Sequence, residues 1–479
     1  MTERVYQTRA ESAVLGELAS GARSVCLVAP TGAGKTRMGA NVVRALTSNG
    51  ARVLWIAHRH ELVQQAIGAM GIPVGVIQAG APSGTGQCIV AQLQTLVRRE
   101  VPAVDVVIID EAHRSLAKSY TAILDQVPLA DVIGLTATPC RLDGKGLGEV
   151  FNRLIVAART SDLIRDGYLM RPTVYVAPVE PDLKGVHKQG GDYKADELEA
   201  AVNKPALRGD VVRHWLERSA GKPTVCFAVS VAHSRALVED FAAQGVTAVH
   251  VDGDTSPERR GEALAMIRDG RAQVLCNVGI VTEGWDFPEL HTCILARPTA
   301  SLSLLMQMWG RIMRPAPGKT GALVLDHSSN VMRHGVLPWT DVEWTLESSK
   351  RPTVASGVVN CPQCYVLQMK DNDVCEGCGA KLAKPRVKTK KEQGEIITDA
   401  TTALVEYDTA VARSVLTWLE RVKQRECSPY VLRLMERYRL GTKHKNPLPA
   451  DFDRYVLAAK GDLGKAAWLF KVKHCGRWV

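Results

Sequence analysis

The sequence predicts an α/β chain with two tandem lobes, each a parallel sheet flanked by helices, followed by a four-Cys ribbon and a small helical C-terminal module. Three observations carry this. Apolar runs of buried-strand type alternate with helical stretches, once before about residue 165 and again after it. A Gly-rich turn joins the first of these strands to its helix. Two C-x₂-C pairs follow residue 360, and the chain beyond them is basic. The boundaries this sets are 1–165 and 166–350 for the lobes, 357–382 for the ribbon, 383–398 for a basic linker and 399–479 for the helical module.

Length and composition fit. At 479 residues the chain holds about three domains of ordinary size. Hydrophobic residues make up 46%, and no apolar run is long enough to span a membrane. Behind Met1-Thr2-Glu3-Arg4 there is no signal-peptide core. Cys26, Cys226, Cys276 and Cys293 sit in apolar strand-like runs, where a reduced thiol acts as a small hydrophobe. The expectation is a cytoplasmic protein with no membrane partner.

Charge is unevenly placed. From Lys381 to Val479 there are 21 Lys and Arg against 11 Asp and Glu, an excess equal to the +10 of the whole chain. A sequence pI near 9.0 therefore describes a basic tail on a neutral body, suited to a polyanion. A solvated basic surface is the competing reading.

Taken in order, Val5-Tyr6-Gln7 precedes a first helical stretch, and the Gln7 amide could read an adenine edge. Ser24-Val25-Cys26-Leu27-Val28 is a strand. Ala29-Pro30-Thr31-Gly32-Ala33-Gly34-Lys35-Thr36 then opens a helix, the context a phosphate-binding loop needs. Gly32 and Gly34 let the backbone turn N–H groups inward, with Thr31 and Ala33 between them, and the helix dipole adds positive potential. Lys35 reaches β- and γ-phosphates and the Thr36 hydroxyl ligates Mg²⁺. The loop departs from G-x-x-x-x-G-K-T at its first position, Ala29. A chance Gly-rich turn is disfavoured by its place between strand and helix.

The strand ending at Ala57 leads into His58-Arg59, and Gln94-Thr95 follow the strand 87–91. Val104-Asp105-Val106-Val107-Ile108-Ile109 is the most apolar strand of this half, and it ends in Asp110-Glu111-Ala112-His113. A carboxylate at the end of a central strand lies beside the phosphate loop in such folds, so Asp110 can hold the metal and Glu111 can polarise the attacking water. Thr136-Ala137-Thr138-Pro139 closes the next strand with small hydroxyl residues that suit a hinge sensing the γ-phosphate.

A-P-T-G-A-G-K-T, D-E-A-H and T-A-T-P, in that order, resemble the superfamily-two helicases and translocases. The resemblance implies two RecA-like lobes and partner motifs in the second half. Those are present. Thr282-Glu283-Gly284-Trp285-Asp286 is similar to the family's motif V, and Gln307-Met308-Trp309-Gly310-Arg311-Ile312-Met313-Arg314 to its motif VI. It further implies that Gln307, Arg311 and Arg314 act in catalysis and that Gly284 and Asp286 touch the nucleotide. Arg311 and Arg314, three apart, are expected on one helix face. The implied activity is ATP-driven movement on nucleic acid, gripped by His58, Arg59, Gln94, Thr95, Ser230 and Thr282.

Arg351-Pro352-Thr353 and Ser356-Gly357 read as a linker. Cys361, Cys364, Cys375 and Cys378 then form two knuckles at zinc-ribbon separation, with no open position for catalysis. A redox C-x-x-C pair would not need duplicating. The flanking linkers are expected to uncouple the ribbon from the lobes. In the tail, Trp418, Trp468 and Trp478 with several Tyr interleave among Lys and Arg, as a single-strand stacking surface would; a small aromatic core fits equally well. Motor, ribbon and tail together resemble the RadD-like helicases of bacteria and bacteriophages. That resemblance implies DNA repair, recombination or replication, single-stranded or branched DNA as partner, and a single-strand-binding or repair protein docked on the tail. An RNA helicase, the motor subunit of a restriction system and a degenerate binding protein stay open; no nuclease motif is evident.

Overall fold

The computed structural model describes residues 4–80, 84–141, 143–281, 284–347, 353–354, 358–369 and 372–382. The basic linker, the helical module with its aromatic residues, Thr282 and the linker residues 351–352 and 355–357 lie outside the described residues.

The first lobe runs α1 (Val5–Ala19), β1 (Ser24–Val28), α2 (Lys35–Ser48), β2 (Val53–Ala57), α3 (His60–Met70), β3 (Gly75–Ile77), β4 (Cys88–Gln92), α4 (Leu93–Leu96), β5 (Val106–Asp110), α5 (Lys118–Leu124), β6 (Asp131–Thr136), β7 (Arg153–Val156) and α6 (Thr160–Arg165). Its seven strands are ordered β3-β4-β2-β5-β6-β1-β7 and pair in parallel throughout. Strands covered on both faces need apolar side chains at every position rather than at alternate ones. Accordingly β1, β2 and β5 are buried from end to end.

The second lobe begins with β8 (Thr173–Val176), followed by a small excursion: β9 (Lys188–Gln189), β10 (Asp192–Tyr193) and α7 (Ala195–Val202). The sheet then continues through α8 (Pro205–Ser219), β11 (Thr224–Phe227), α9 (Val231–Ala243), β12 (Ala248–Val251), α10 (Pro257–Arg268), β13 (Val274–Asn277), β14 (Thr292–Leu295), α11 (Leu302–Gly310), β15 (Leu323–Asp326) and α12 (Asn330–His334). Its strand order is β12-β13-β11-β14-β15-β8, again all parallel. Parallel sheets carry their sites at strand C-termini, where the loops gather. Cys26, Cys226, Cys276 and Cys293 are fully buried here. Burial pushes the Cys26 and Cys293 thiols well up, which keeps them unreactive.

Two arrangements differ from expectation. The second lobe was expected to run to 350, yet its last stretch returns to the first lobe. Trp344 and Leu346 pack on the core around Leu147 and Phe151, and Gly148 N donates to Leu346 O at 2.7 Å. Asp341 accepts from the Ser161 hydroxyl at 2.6 Å. β16 (Val342–Glu343) then pairs with β17 (Thr353–Val354).

The ribbon, built on the hairpin of β18 (Val358–Asn360) and β19 (Leu367–Met369), is not uncoupled either. It docks on β8, the edge strand of the second sheet. Val176 N donates to Tyr365 O at 3.1 Å, and Tyr175 bridges Val366 antiparallel. Arg171 also meets Glu376 at 2.9 Å, but both side chains are over 40% exposed. Such a pair contributes about 0–1 kcal/mol, so the edge pairing and the buried Val366 and Leu367 hold the ribbon. An unpaired sheet edge invites such a cover. Both lobes and the ribbon form one compact unit.

Candidate active site

β1 delivers its chain to the C-terminal edge of the first sheet, where Ala29 N still bonds Thr136 O at 3.0 Å. The loop then turns through Gly32 and Gly34 at φ 87° and 88°, conformations that other residues rarely adopt. Gly34 is the N-cap of α2, so Lys35 and Thr36 stand in its first turn among N–H groups with no partner inside the helix. That is an anion seat. Lys35 Nζ lies 3.5 Å from Ala29 O. Enclosure of the ammonium pushes its pKa down; Glu111 and Asp110 oppose that, while Arg311 and Arg314 add to it. Groups from both lobes thus sense one point.

Gln7 and Tyr6 lie under this loop. Gln7 Nε2 donates to Ala33 O at 3.0 Å, and Tyr6 Oη to the same carbonyl at 2.7 Å. Gln7 Oε1 accepts from Arg4 N at 3.4 Å, closing a capping box at the start of α1. The side chain is buried and fastened to the phosphate loop, a contact that the sequence reading of an adenine reader did not include.

Asp110 ends β5, and Glu111 follows it at φ 53° and ψ 56°, a left-handed conformation for a non-glycine residue. Such strain costs about 1–3 kcal/mol and is characteristic of functional sites. Glu111 Oε2 lies 3.4 Å from His113 Nδ1. His113 Nδ1 is 3.5 Å from Thr136 Oγ1, which accepts from Thr138 N at 3.1 Å. The Thr138 hydroxyl then bonds Ser303 of α11 in the second lobe. A buried polar chain therefore runs from the acidic pair to the helix that bears motif VI.

That helix ends sooner than the i, i+3 spacing implied. α11 stops at Gly310, and Arg311 and Arg314 stand in the tightened turn beyond it. Ile312 N bonds Trp309 O at 3.1 Å, an i→i−3 closure. Arg314 precedes Pro315, which disfavours helical backbone at Arg314. The turn sits on the phosphate loop: a methyl group placed on Gly32 would lie 2.9 Å from Arg314 Cγ. Arg311 Nη1 donates to Trp285 O at 3.0 Å, and Arg314 pairs with Asp286. Among the described residues, the buried Arg314 Nε and Gln307 Nε2 have no hydrogen-bond partner. The orphaned Arg314 donor, set against Gly32 of the Gly-rich loop, fits an anionic ligand there.

Of the remaining expected residues, Gly284 (φ 80°) lies against α3, where Gln65 Nε2 donates to its carbonyl at 2.6 Å. Arg59 bridges the lobes, donating to Ile280 O at 2.8 Å and Gly279 O at 2.9 Å. Here its guanidinium is spent on the seam, because α3 starts directly opposite the motif V loop. Arg260 and Glu61 add an ion pair across the same seam at 3.0 Å. Neither Gln65 nor Arg260 carries a sequence signal. Gln94 is exposed and donates to His58 O at 2.8 Å, with Thr95 beside it on α4. Ser230 caps α9, accepting from His233 N at 3.1 Å. His58 is buried, whereas Gln94 is exposed and Arg59, Thr95 and Ser230 are half-buried.

The four ribbon cysteines converge. All their sulfurs lie within 4.8 Å of one another, with Cys361 and Cys378 at 3.7 Å and Cys364 and Cys375 at 3.5 Å. Zn–S bonds of about 2.3 Å in a tetrahedron put sulfurs roughly 3.8 Å apart, so the set fits zinc. Backbone N–H groups of Gln363 and Gly377 point at the sulfurs of Cys361 and Cys375, support that a thiolate wants.

Residues 1–141 match the family described as type III restriction enzyme, res subunit, and residues 208–316 match the helicase conserved C-terminal domain. The chain belongs to the superfamily-two helicases, enzymes that hydrolyse ATP between two RecA-like lobes. Among its relatives, a 51.5 kDa protein of a Lactococcus phage is 29% identical over 359 residues, 73% of this chain and 76% of that one. IRC3 of Saccharomyces cerevisiae, described as an ATP-dependent helicase, is 30% identical over 350 residues, 67% of this chain. The match spans about half of IRC3, 51%. The EcoKI type I restriction endonuclease subunit of Escherichia coli is 24% identical, with 80% of this chain and 38% of that subunit aligned. The fold resembles a type I HsdR fragment from Vibrio vulnificus, with a TM-score of 0.56 at 21% identity, covering 71% and 67% of the two chains. Among the described residues no helix is long and apolar enough to cross a membrane.

Proposed function

We propose that this chain is a DNA-dependent ATPase that translocates along or unwinds DNA during repair, recombination or replication. The observation that carries it is the seating of second-lobe cations on the first-lobe phosphate loop, at Arg314 and Gly32. In this reading the backbone from Thr31 to Thr36 and the Lys35 ammonium hold the ATP phosphates. Thr36 and Asp110 hold Mg²⁺, which would supply charge neutralisation. Glu111, oriented by His113, draws the proton from the attacking water. Arg311 and Arg314, with Gln307 beside them, supply positive charge where negative charge grows in the transition state. Gly284 and Asp286 border the nucleotide from motif V.

A site split between lobes is complete only when they meet, so turnover alternates closed and open states. Movement follows if His58, Arg59, Gln94, Thr95, Ser230 and Thr282 grip a strand unequally in the two states, chiefly through phosphates. Arg59 would serve only when released from the seam. The four cysteines hold a structural zinc, and the basic tail binds DNA or, in the competing reading, a single-strand-binding or repair protein. The DNA-bound restriction-modification enzyme LlaBIII shares the fold, with a TM-score of 0.52 at 19% identity over 68% of this chain. A second reading, the motor subunit of a restriction system, is favoured by the res-subunit match over residues 1–141.

The test is ATP turnover measured without polymer and with single-stranded DNA, duplex DNA or RNA. Stimulation by DNA over RNA is expected. Stimulation by RNA alone would overturn the DNA assignment.

A further inference from the structure

Beyond motif VI the chain reads Arg314-Pro315-Ala316-Pro317-Gly318-Lys319, and this short return has a geometry of its own. Lys319 N donates to Ala316 O at 3.1 Å, and Gly318 has φ 76°. Pro and Gly at the two central positions, with a positive φ at the second, make a type II turn. It folds Lys319 back under the residues it follows. There its ammonium donates to three backbone carbonyls: Ile312 O at 2.6 Å, Arg314 O at 2.7 Å and Pro288 O at 2.9 Å.

Those acceptors are not incidental. The carbonyls that end a helix and its closing turn have no partner within it, and each must be met from outside. The arginine-bearing turn is almost fully accounted for. Met313 O accepts from Met170 N of the lobe connection at 2.7 Å, and Lys319 satisfies Ile312 O and Arg314 O. The third acceptor, Pro288, follows motif V, two residues after the Asp286 that pairs with Arg314. One ammonium therefore fastens the motif VI turn to the motif V loop, with all three of its protons used. A cation at a helix C-terminus is also favoured by the dipole.

We propose that Lys319 is the positioning residue for the arginine pair, locking the Arg311–Arg314 turn in register with the phosphate loop. Its three donors are spent on backbone carbonyls, so it acts through Arg311 and Arg314, and the inference rests on reading those two as the charges that stabilise the transition state. Burial pushes the Lys319 ammonium down to about 8, with Arg314 adding to that and Glu289 opposing, so at pH 7 the group is charged.

The test is steady-state ATP turnover of the full chain at pH 7 for the parent, Lys319→Met, Arg311→Ala/Arg314→Ala and the triple variant, each checked for a cooperative melt. Methionine keeps the length and removes the donors. The expected result is a kcat lower by more than about tenfold in Lys319→Met, with the KM for ATP within about threefold. In the arginine-less background, Lys319→Met should change the residual rate by less than about twofold, because there is nothing left to position. Parental turnover in Lys319→Met overturns the proposal, as does an equal loss in both backgrounds. Parental turnover in the arginine-less variant overturns the underlying assignment of the arginines instead. If Lys319→Met does not melt cooperatively, Lys319→Leu, which also lacks the donors, is read against the same criteria.

Discussion

Gly310, the last residue of α11, lies so close to Thr31 of the phosphate loop that a Cβ on it would fall 2.5 Å from Thr31 Cβ. Non-bonded carbon atoms do not approach so closely, so this glycine is a steric condition on lobe closure rather than a flexible link. Gly310→Ala should leave each lobe folded, since alanine favours helix. Turnover should fall more than about tenfold because the arginine turn is held off the loop. Equal kcat in variant and parent would show that closure tolerates the extra methyl group.

Lys35→Ala should abolish ATP turnover by removing the phosphate contact, while Glu111→Gln should bind ATP and fail to hydrolyse it. Nucleotide binding measured beside turnover separates the two. A Glu111→Gln protein hydrolysing at the parental rate would remove Glu111 from the water-activating role.

Arg311→Ala should lose turnover with ATP affinity largely kept, because the charge is needed most in the transition state. Arg311 also bonds Trp285 O at 3.0 Å, so Arg311→Lys, a single point charge without the guanidinium fork, should restore little. Loss of ATP binding at an unchanged turnover number contradicts this.

Purified protein should carry one zinc per chain, lost in Cys364→Ala. The ribbon pairs with β8, so the second lobe should also melt earlier in that variant, and not the ribbon alone. Elemental analysis and a thermal melt check both parts; a zinc-free parent prepared without chelators would end the assignment.

Deleting residues 383–479 should weaken DNA binding and flatten its salt dependence. The log–log slope should fall by about 0.7–0.9 for each phosphate that the tail no longer neutralises. Identical slopes with and without the tail would mean that its charge serves a protein partner.

Much of this was legible in the sequence because the chemistry is local. Strand, Gly-rich loop and Lys35-Thr36 follow one another in the chain, as do β5 and Asp110-Glu111, and so do the paired cysteines. What the sequence hid was long-range or conformational. The spacing of Arg311 and Arg314 suggested a helix face, but Pro315 and the early end of α11 turned it into a capped loop. Arg59 carries no local sign of its bonds to the Gly279 and Ile280 carbonyls, which lie more than two hundred residues away. Gln7 signalled a base contact, and its bond to Ala33 O needed the tertiary fold. The ribbon's docking depended on which strand the second sheet leaves at its edge, and no local pattern encodes that.

The return of residues 341–347 to the first lobe changes the mechanics of the two lobes. The backbone spans the cleft first between α6 and β8, comes back with Asp341, Trp344 and Leu346, and then leaves for the ribbon on β8. Bodies tied at one place can swivel in any direction, whereas bodies laced together at separate places keep few degrees of freedom. The cleft should then gape along a single arc, and distances between labelled sites on the two lobes should change in fixed proportion through the cycle. In such a laced pair, the four-cysteine ribbon is the knot at the end of the cord.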